Sequence, residues 1–172
     1  MNPSSRRGAF WIGAAITAVF AATALLAVVW TPYDPGAIAI IDKLQAPSLR
    51  HWLGTDQLGR DELSMLMAGA KNSVGIALAA VLIGVAVGVP LGLIAAMRSR
   101  GLDDLIMRGN DLLFAFPSLL LAILISAVSG PGAFVAVAAI GLFNIPVFTR
   151  VTRGAALGVR QRDFCLAARA AG

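Results

Sequence analysis

Charge is missing from three long stretches of this chain, and no other feature constrains its folding as much. Gly8 to Tyr33, Asn72 to Met97 and Leu112 to Thr149 hold no Asp, Glu, Lys or Arg. A helix rises about 1.5 Å per residue, so about 20 apolar residues cross the hydrocarbon core of a bilayer. The first two stretches each fit one crossing. The third, of 38 residues, is too long for one helix, and Ser129-Gly130-Pro131-Gly132 interrupts it with a turn signal. The pattern therefore predicts an all-α integral membrane protein with four transmembrane helices, near 9–30, 73–97, 111–128 and 133–150.

Composition agrees. With 58% hydrophobic and 13% charged residues, the chain has about half the charge of a soluble domain and too little polar surface to cover a water-facing globule. The apolar content excludes intrinsic disorder. A single Cys165 excludes a disulfide scaffold, and Cys165 with the lone His51 excludes a zinc cluster, so no metal site is expected.

Four crossings leave both termini on one side, and the distribution of cations selects which. With the N-terminus in the cytoplasm, ten arginines lie inside: Arg6, Arg7, Arg98, Arg100, Arg108, Arg150, Arg153, Arg160, Arg162 and Arg169. Four cations lie outside (Lys43, Arg50, Arg60 and Lys71), in a segment shared with five carboxylates. The N-terminus is therefore expected to be cytoplasmic, and the net charge of +5 follows from topology. No nucleic-acid partner is expected, because the arginines flank membrane segments instead of covering one soluble face. Ser5-Arg6-Arg7 before an apolar run loosely resembles a twin-arginine export signal, but a cytoplasmic flank of a spanning helix is the favoured reading.

Within the spans, Gly84, Gly88 and Gly92 recur every four residues, with Ala80 and Ala96 extending the row. That spacing puts them on one helix face, where missing side chains let a second helix approach. Pro90 removes one backbone hydrogen bond and marks a candidate kink, as do Pro117 and Pro146. The row reads either as ordinary helix packing or as a hinge. No ionisable residue lies in the middle of a span, which argues against a proton pump or voltage sensor. Ser118 and Asn144 are the candidate pathway-lining residues; Asn144 serves equally well as a buried amide bonding a neighbouring helix.

The segment 31–71 is too long for a turn. Trp30, Tyr33 and Trp52 suit an interfacial aromatic belt, and Asp61 and Glu62 suit the first turn of a helix beginning near residue 60. The basic, mildly amphipathic residues 150–172 read as a surface helix on anionic headgroups or as a docking element for a cytoplasmic partner.

Motif residues favour the docking element. His51-Trp52-Leu53-Gly54-Thr55-Asp56-x-Leu58-Gly59-Arg60-Asp61-x-Leu63-Ser64, followed by Gly69-Ala70, resembles the external segment of permease subunits of dipeptide, oligopeptide and nickel ABC importers. Met107-Arg108-x-x-Asp111-x-Leu113-x-Ala115-Phe116-Pro117-Ser118 resembles the start of that family's third helix. Arg162-Asp163-Phe164-Cys165-Leu166-Ala167-Ala168-Arg169-Ala170-Ala171-Gly172 resembles the opening of its EAA loop.

The resemblance implies a multi-pass subunit of the bacterial cytoplasmic membrane. It would form a pathway with a homologous permease, receive substrate from an extracytoplasmic binding protein, and couple to cytoplasmic ATP-binding subunits. Asp163, Ala167, Ala168 and Gly172 would belong to the coupling loop. Leu166 stands where the family's motif opens with an acidic residue, which removes one expected polar contact to the ATPase. No cofactor is expected, and without a phosphate-cradling Gly-x-x-x-x-Gly-Lys-Ser/Thr loop the chain is not an enzyme that hydrolyses ATP. The family continues through two further helices, so these four are expected to be the first of six, as residues 1–71 (flank, first helix, external loop) and 72–172 (partial permease core). The alternatives are a truncated fragment that transports nothing and a small membrane scaffold that binds a partner through its basic tail. A membrane enzyme is the weakest option, since no nucleophile–base pair presents itself around Asp56, Asp61 and Glu62.

Overall fold

The structure, a computed structural model, describes residues 3–98 and 100–170. Among them are six α-helices: α1 (Pro3–Val29), α2 (Glu62–Met97), α3 (Arg100–Ala115), α4 (Ser118–Ser129), α5 (Ala133–Arg160) and α6 (Asp163–Ala170). A short 3-10 turn, Ile40–Asp42, lies in the segment between α1 and α2. The described residues contain no β-strand beyond one isolated bridge, Thr55 to Asp61. The all-helical class is thus as the charge-free stretches require. Three helices are long and apolar enough to cross a membrane, and α3 with α4 makes a fourth if that bent pair is one span.

The third span differs from expectation. Instead of one helix over 111–128, the chain forms α3 and α4 with a bend of 79° between them. The cause is Pro117, which has no N–H to donate and whose ring disfavours helical backbone at Phe116. The second helix starts at Glu62, as expected of a helix beginning near residue 60 with acids in its first turn, and runs unbroken across Lys71 into the crossing expected from residue 73. One boundary moves. The fourth runs to Arg160 instead of ending near 150, so the first half of the expected basic tail is an extension of α5, and α6 is a separate helix beyond it. Both α2 and α5 run through their internal prolines, Pro90 and Pro146, as single helices.

Contacts cluster in two units, Met1–Gly75 and Ile76–Gly172. In the first, α1, the loop and the opening turns of α2 come together, with Ala24, Ala27, Met67 and Ala70 buried. In the second, α5 is the central rod. It packs against α3, α4 and α6, and Val135, Ala139, Gly141, Ile145, Pro146 and Thr149 are buried along it. Its face toward α2 carries the closest backbone approaches of the unit.

Candidate functional site

The seam between α2 and α5 is built on missing side chains. A Cβ on Gly84 would lie 2.6 Å from Asn144 Cβ, one on Gly88 2.6 Å from the carbonyl oxygen of Ile145, and one on Gly92 2.5 Å from the carbonyl oxygen of Thr149. No real methyl occupies such positions, so the two backbones meet only because these residues are glycine. Ala80 and Ala96, at the ends of the row, are also fully covered. The partner of each glycine advances along α5 as the glycine advances along α2, so the two helices run parallel. Parallel packing requires the chain between them to return across the same thickness, and α3 and α4 are the elements available to do so; α3 runs antiparallel to α5, with Asp103 at Arg153 and Phe114 at Phe143. The ends of α2 and α5 therefore lie on one side, together with Arg98, Arg100, Arg108, Arg150, Arg153 and Arg160.

On that side α5 is stapled to its neighbours by arginines. Arg153 grips Asp103 of α3 with two parallel bonds, Nε to Oδ1 and Nη2 to Oδ2, both 2.5 Å. Arg150 Nη2 donates to Asp111 Oδ1 at 2.5 Å, and its guanidinium sits 4.5 Å over the ring of Phe114. That ring in turn meets Phe143 edge-on at 5.1 Å. Arg160 donates through Nη1 to the carbonyl oxygen of Ala96, in the last turn of α2, where a cation suits the helix dipole. One donor on α3 has no partner among the described residues, the buried Nδ2 of Asn110.

The segment before α2 is held together by polar contacts. Asp61 is the hub: its Oδ2 accepts from the Ser64 amide at 2.8 Å and the Ser64 hydroxyl at 2.7 Å, capping α2. His51 Nδ1 lies 2.9 Å from the other oxygen. Ser64 Oγ then accepts from the Tyr33 amide at 3.0 Å, and the Tyr33 hydroxyl donates to the carbonyl of Arg50 at 2.8 Å. Burial pushes the Asp61 carboxyl up, but the hydrogen bonds from His51 and Ser64 outweigh it and hold the group below the usual 3.8. Asp56 is also held below that value, first by the Arg60 amide and then by the Arg60 side chain and the Leu58 amide, against some desolvation. Gly54 and Gly59 take positive φ, 83° and 75°, where a Cβ would run into the backbone of Gln45 and Ala39 respectively. Both carboxylates are spent on holding the loop in shape. The Tyr33 ring packs on His51 with centroids 4.7 Å apart, which adds it to this knot.

The residues singled out in sequence fall into separate places. Gly84, Gly88 and Gly92 form the seam, and Asn144 joins them as the side chain against Gly84. Pro90 is exposed, on the opposite side of α2 from the seam. Ser118 is exposed at the start of α4. Asp163, Ala167 and Ala168 are exposed on α6, while Gly172 lies outside the described residues. The reading of arginines as topology markers missed their partners Asp103 and Asp111. The available signal was two carboxylates in a segment flanked on both sides by arginine.

Three or more apolar membrane-length helices, a glycine-lined parallel seam and cations gathered at one end define a multi-pass membrane protein. Comparison with known proteins makes this more specific. Residues 88–172 match the family described as "Binding-protein-dependent transport system inner membrane component". The chain is 41% identical over 142 residues to the glutathione transport system permease protein GsiD of Pectobacterium atrosepticum, covering 82% of this chain and 47% of that protein. It is 42% identical over 131 residues to the dipeptide transport system permease protein DppC of Alkalihalophilus pseudofirmus, covering 76% and 43%. With the nickel transport system permease protein NikC of Escherichia coli it shares 37% over 157 residues, covering 91% and 57%. The chain spans about half the length of the curated relatives it matches. It belongs to the peptide and nickel family of ABC importer permeases, multi-pass proteins of the bacterial inner membrane.

Proposed function

We propose that this chain is the permease subunit of an ATP-driven importer for peptides or nickel. It lines the translocation pathway with a homologous permease and couples to cytoplasmic ATPase subunits through α6. Substrate arrives from an extracytoplasmic binding protein and crosses unaltered, and ATP is hydrolysed on the separate subunits. The observation that carries this reading is the continuity of α5. One unbroken helix runs from the seam at Gly141 to Arg160, and α6 begins three residues later. A displacement of α6 by an ATPase therefore reaches the membrane seam through a rigid element. Exposed Ala167 and Ala168 suit close docking in a groove, and Asp163 begins the helix with a charge its dipole favours. Gly84, Gly88 and Gly92 act in the same reading as the surface on which α5 bears, Pro90 as a local softening of α2, and Ser118 and Asn144 as polar points along the pathway. The boundary at residue 71 or 72 separates the periphery from this core.

The arginine-rich ends of α2, α3 and α5 support a cytoplasmic N-terminus. Cys165, the one cysteine of the chain, supplies the probe. A membrane-impermeant maleimide added to sealed right-side-out vesicles should leave it unlabelled and should label it in inverted vesicles. The reverse pattern sinks the orientation. The transport reading is tested by reconstituting the chain with its companion permease, ATPases and binding protein. Uptake of peptide or nickel should then depend on ATP, and its absence from a fully assembled complex refutes the reading.

A further inference from the structure

We infer that Asp103 and Arg153 are positioning residues for coupling, a brace that makes α3 move with α5 when α6 is displaced. This rests on the importer reading above. Three contacts tie the far end of α5 to the rest of its unit, and they are unequal. Arg153 to Asp103 is bidentate, with the guanidinium fork matched to both carboxylate oxygens. The two side chains are 31% and 18% exposed. Arg150 to Asp111 is a single contact between side chains 46% and 65% exposed, where water competes and an ion pair contributes little. The third contact, from Arg160 to the Ala96 carbonyl, joins α5 to the end of α2.

The geometry explains why one pair dominates. A fork-to-fork pair holds two planes together and resists rotation as well as separation, which a single contact cannot. Arg153 sits at the end of the seam, where its amide nitrogen and the Cβ of Thr152 both face Gly92. Asp103 sits in the first turn of α3, at the end of that helix away from the Pro117 bend. The pair therefore fastens the first turn of α3 to α5, while the last turn is held by Phe114 against Phe143. Held at both ends, α3 is carried by α5 as one body. Released at Asp103, its first turn no longer follows α5, and part of the motion of α5 is lost to the slack between the two helices.

The test compares uptake per ATP hydrolysed in the reconstituted complex. Asp103→Asn and Arg153→Gln should each lower that ratio about tenfold, the effect of losing roughly one charge-assisted hydrogen bond. Basal ATP hydrolysis and recovery of the ATPase subunits should stay as in the parent. Asp111→Asn should change the ratio less than about twofold, as expected for an exposed pair. The double exchange, Asp103→Arg with Arg153→Asp, should recover most of the coupling. An unchanged ratio in Asp103→Asn overturns the brace. So does a double exchange that assembles and stays uncoupled, and so does loss of assembly in the single variants and the exchange alike, since the pair then holds the fold and not the coupling. A parent complex with no ATP-driven uptake refutes the importer reading instead, before any variant is compared.

Discussion

The knot around Asp61 and the seam between α2 and α5 solve one problem by opposite means. Each keeps separate parts of the chain in a defined arrangement, yet the knot uses hydrogen bonds between polar groups and the seam uses the absence of side chains. In the knot, one carboxylate gathers His51, Ser64 and the cap of α2. In the seam, three glycines bring backbones to within a methyl's width and no side-chain hydrogen bond crosses at them. The difference follows the solvent. A segment that water reaches gains little from burying a few methyl groups, whereas lipid-exposed helices have no hydrophobic drive to associate and rely on close packing. The knot should therefore be sensitive to charge and pH, and the seam to volume.

The sharpest way to break this contrast is at the seam. Gly88→Leu should destabilise the protein by about 3 kcal/mol or more, because the added atoms meet the Ile145 carbonyl and the Thr149 amide, which are backbone and cannot step aside. Thermal unfolding in detergent measures it, and a melting temperature equal to the parent's would show that the helices slide apart at no cost. In the knot, Asp61→Asn keeps the volume and removes the charge. It should cost about 2 kcal/mol through the weakened bonds to His51 and Ser64, read from hydrogen exchange at the Ser64 amide.

The pH response carries its own sign. The folded-state value of Asp61 lies below 3.8, so its contribution is complete above that pH and is lost as pH falls through the folded value. Protection in the knot should thus hold from neutral pH down to about 4 and then fall, with Asp61→Asn flattening the part that Asp56 does not carry. The smallest effect has the opposite direction. Gly69→Ala, at a helical position with nothing within 4 Å of the added methyl, should stabilise α2 by up to about 1 kcal/mol. A loss there comparable to that at Gly88 would mean that glycine matters along α2 for a reason other than approach.

These two regions were also unequally legible. The seam could be read directly, since a glycine every fourth residue states which face is small, and Ala80 and Ala96 prolong the statement. Its partner could not, because nothing in the spacing of α5 marks Asn144 to Arg153 as the opposing surface. The knot was visible only as a motif. Its glycines at positions 54 and 59 and its acids were conspicuous, but the bond from the Tyr33 amide to Ser64 spans 31 positions, and no local pattern encodes that distance. The break at Pro117 was visible as a proline near one end of a span and reads there as a kink within one helix, because hydropathy is blind to direction and the same apolar residues can continue after a bend of 79°. The brace was hidden for a related reason. Charge counting assigns arginines to a side of the membrane and discards what each one touches.

The bend at Pro117 has a consequence for how the chain can recross a bilayer. The 16 residues of α3 reach about 24 Å and the 12 of α4 about 18 Å, each short of about 30 Å of hydrocarbon. Neither half crosses alone, so the return from α2 to α5 needs both, with the 79° break inside it. The last carbonyls of α3 have no helical partner at that break, and lipid tails offer them none. The outer side of the bend is therefore a place for polypeptide or water, and an unfavourable one for lipid.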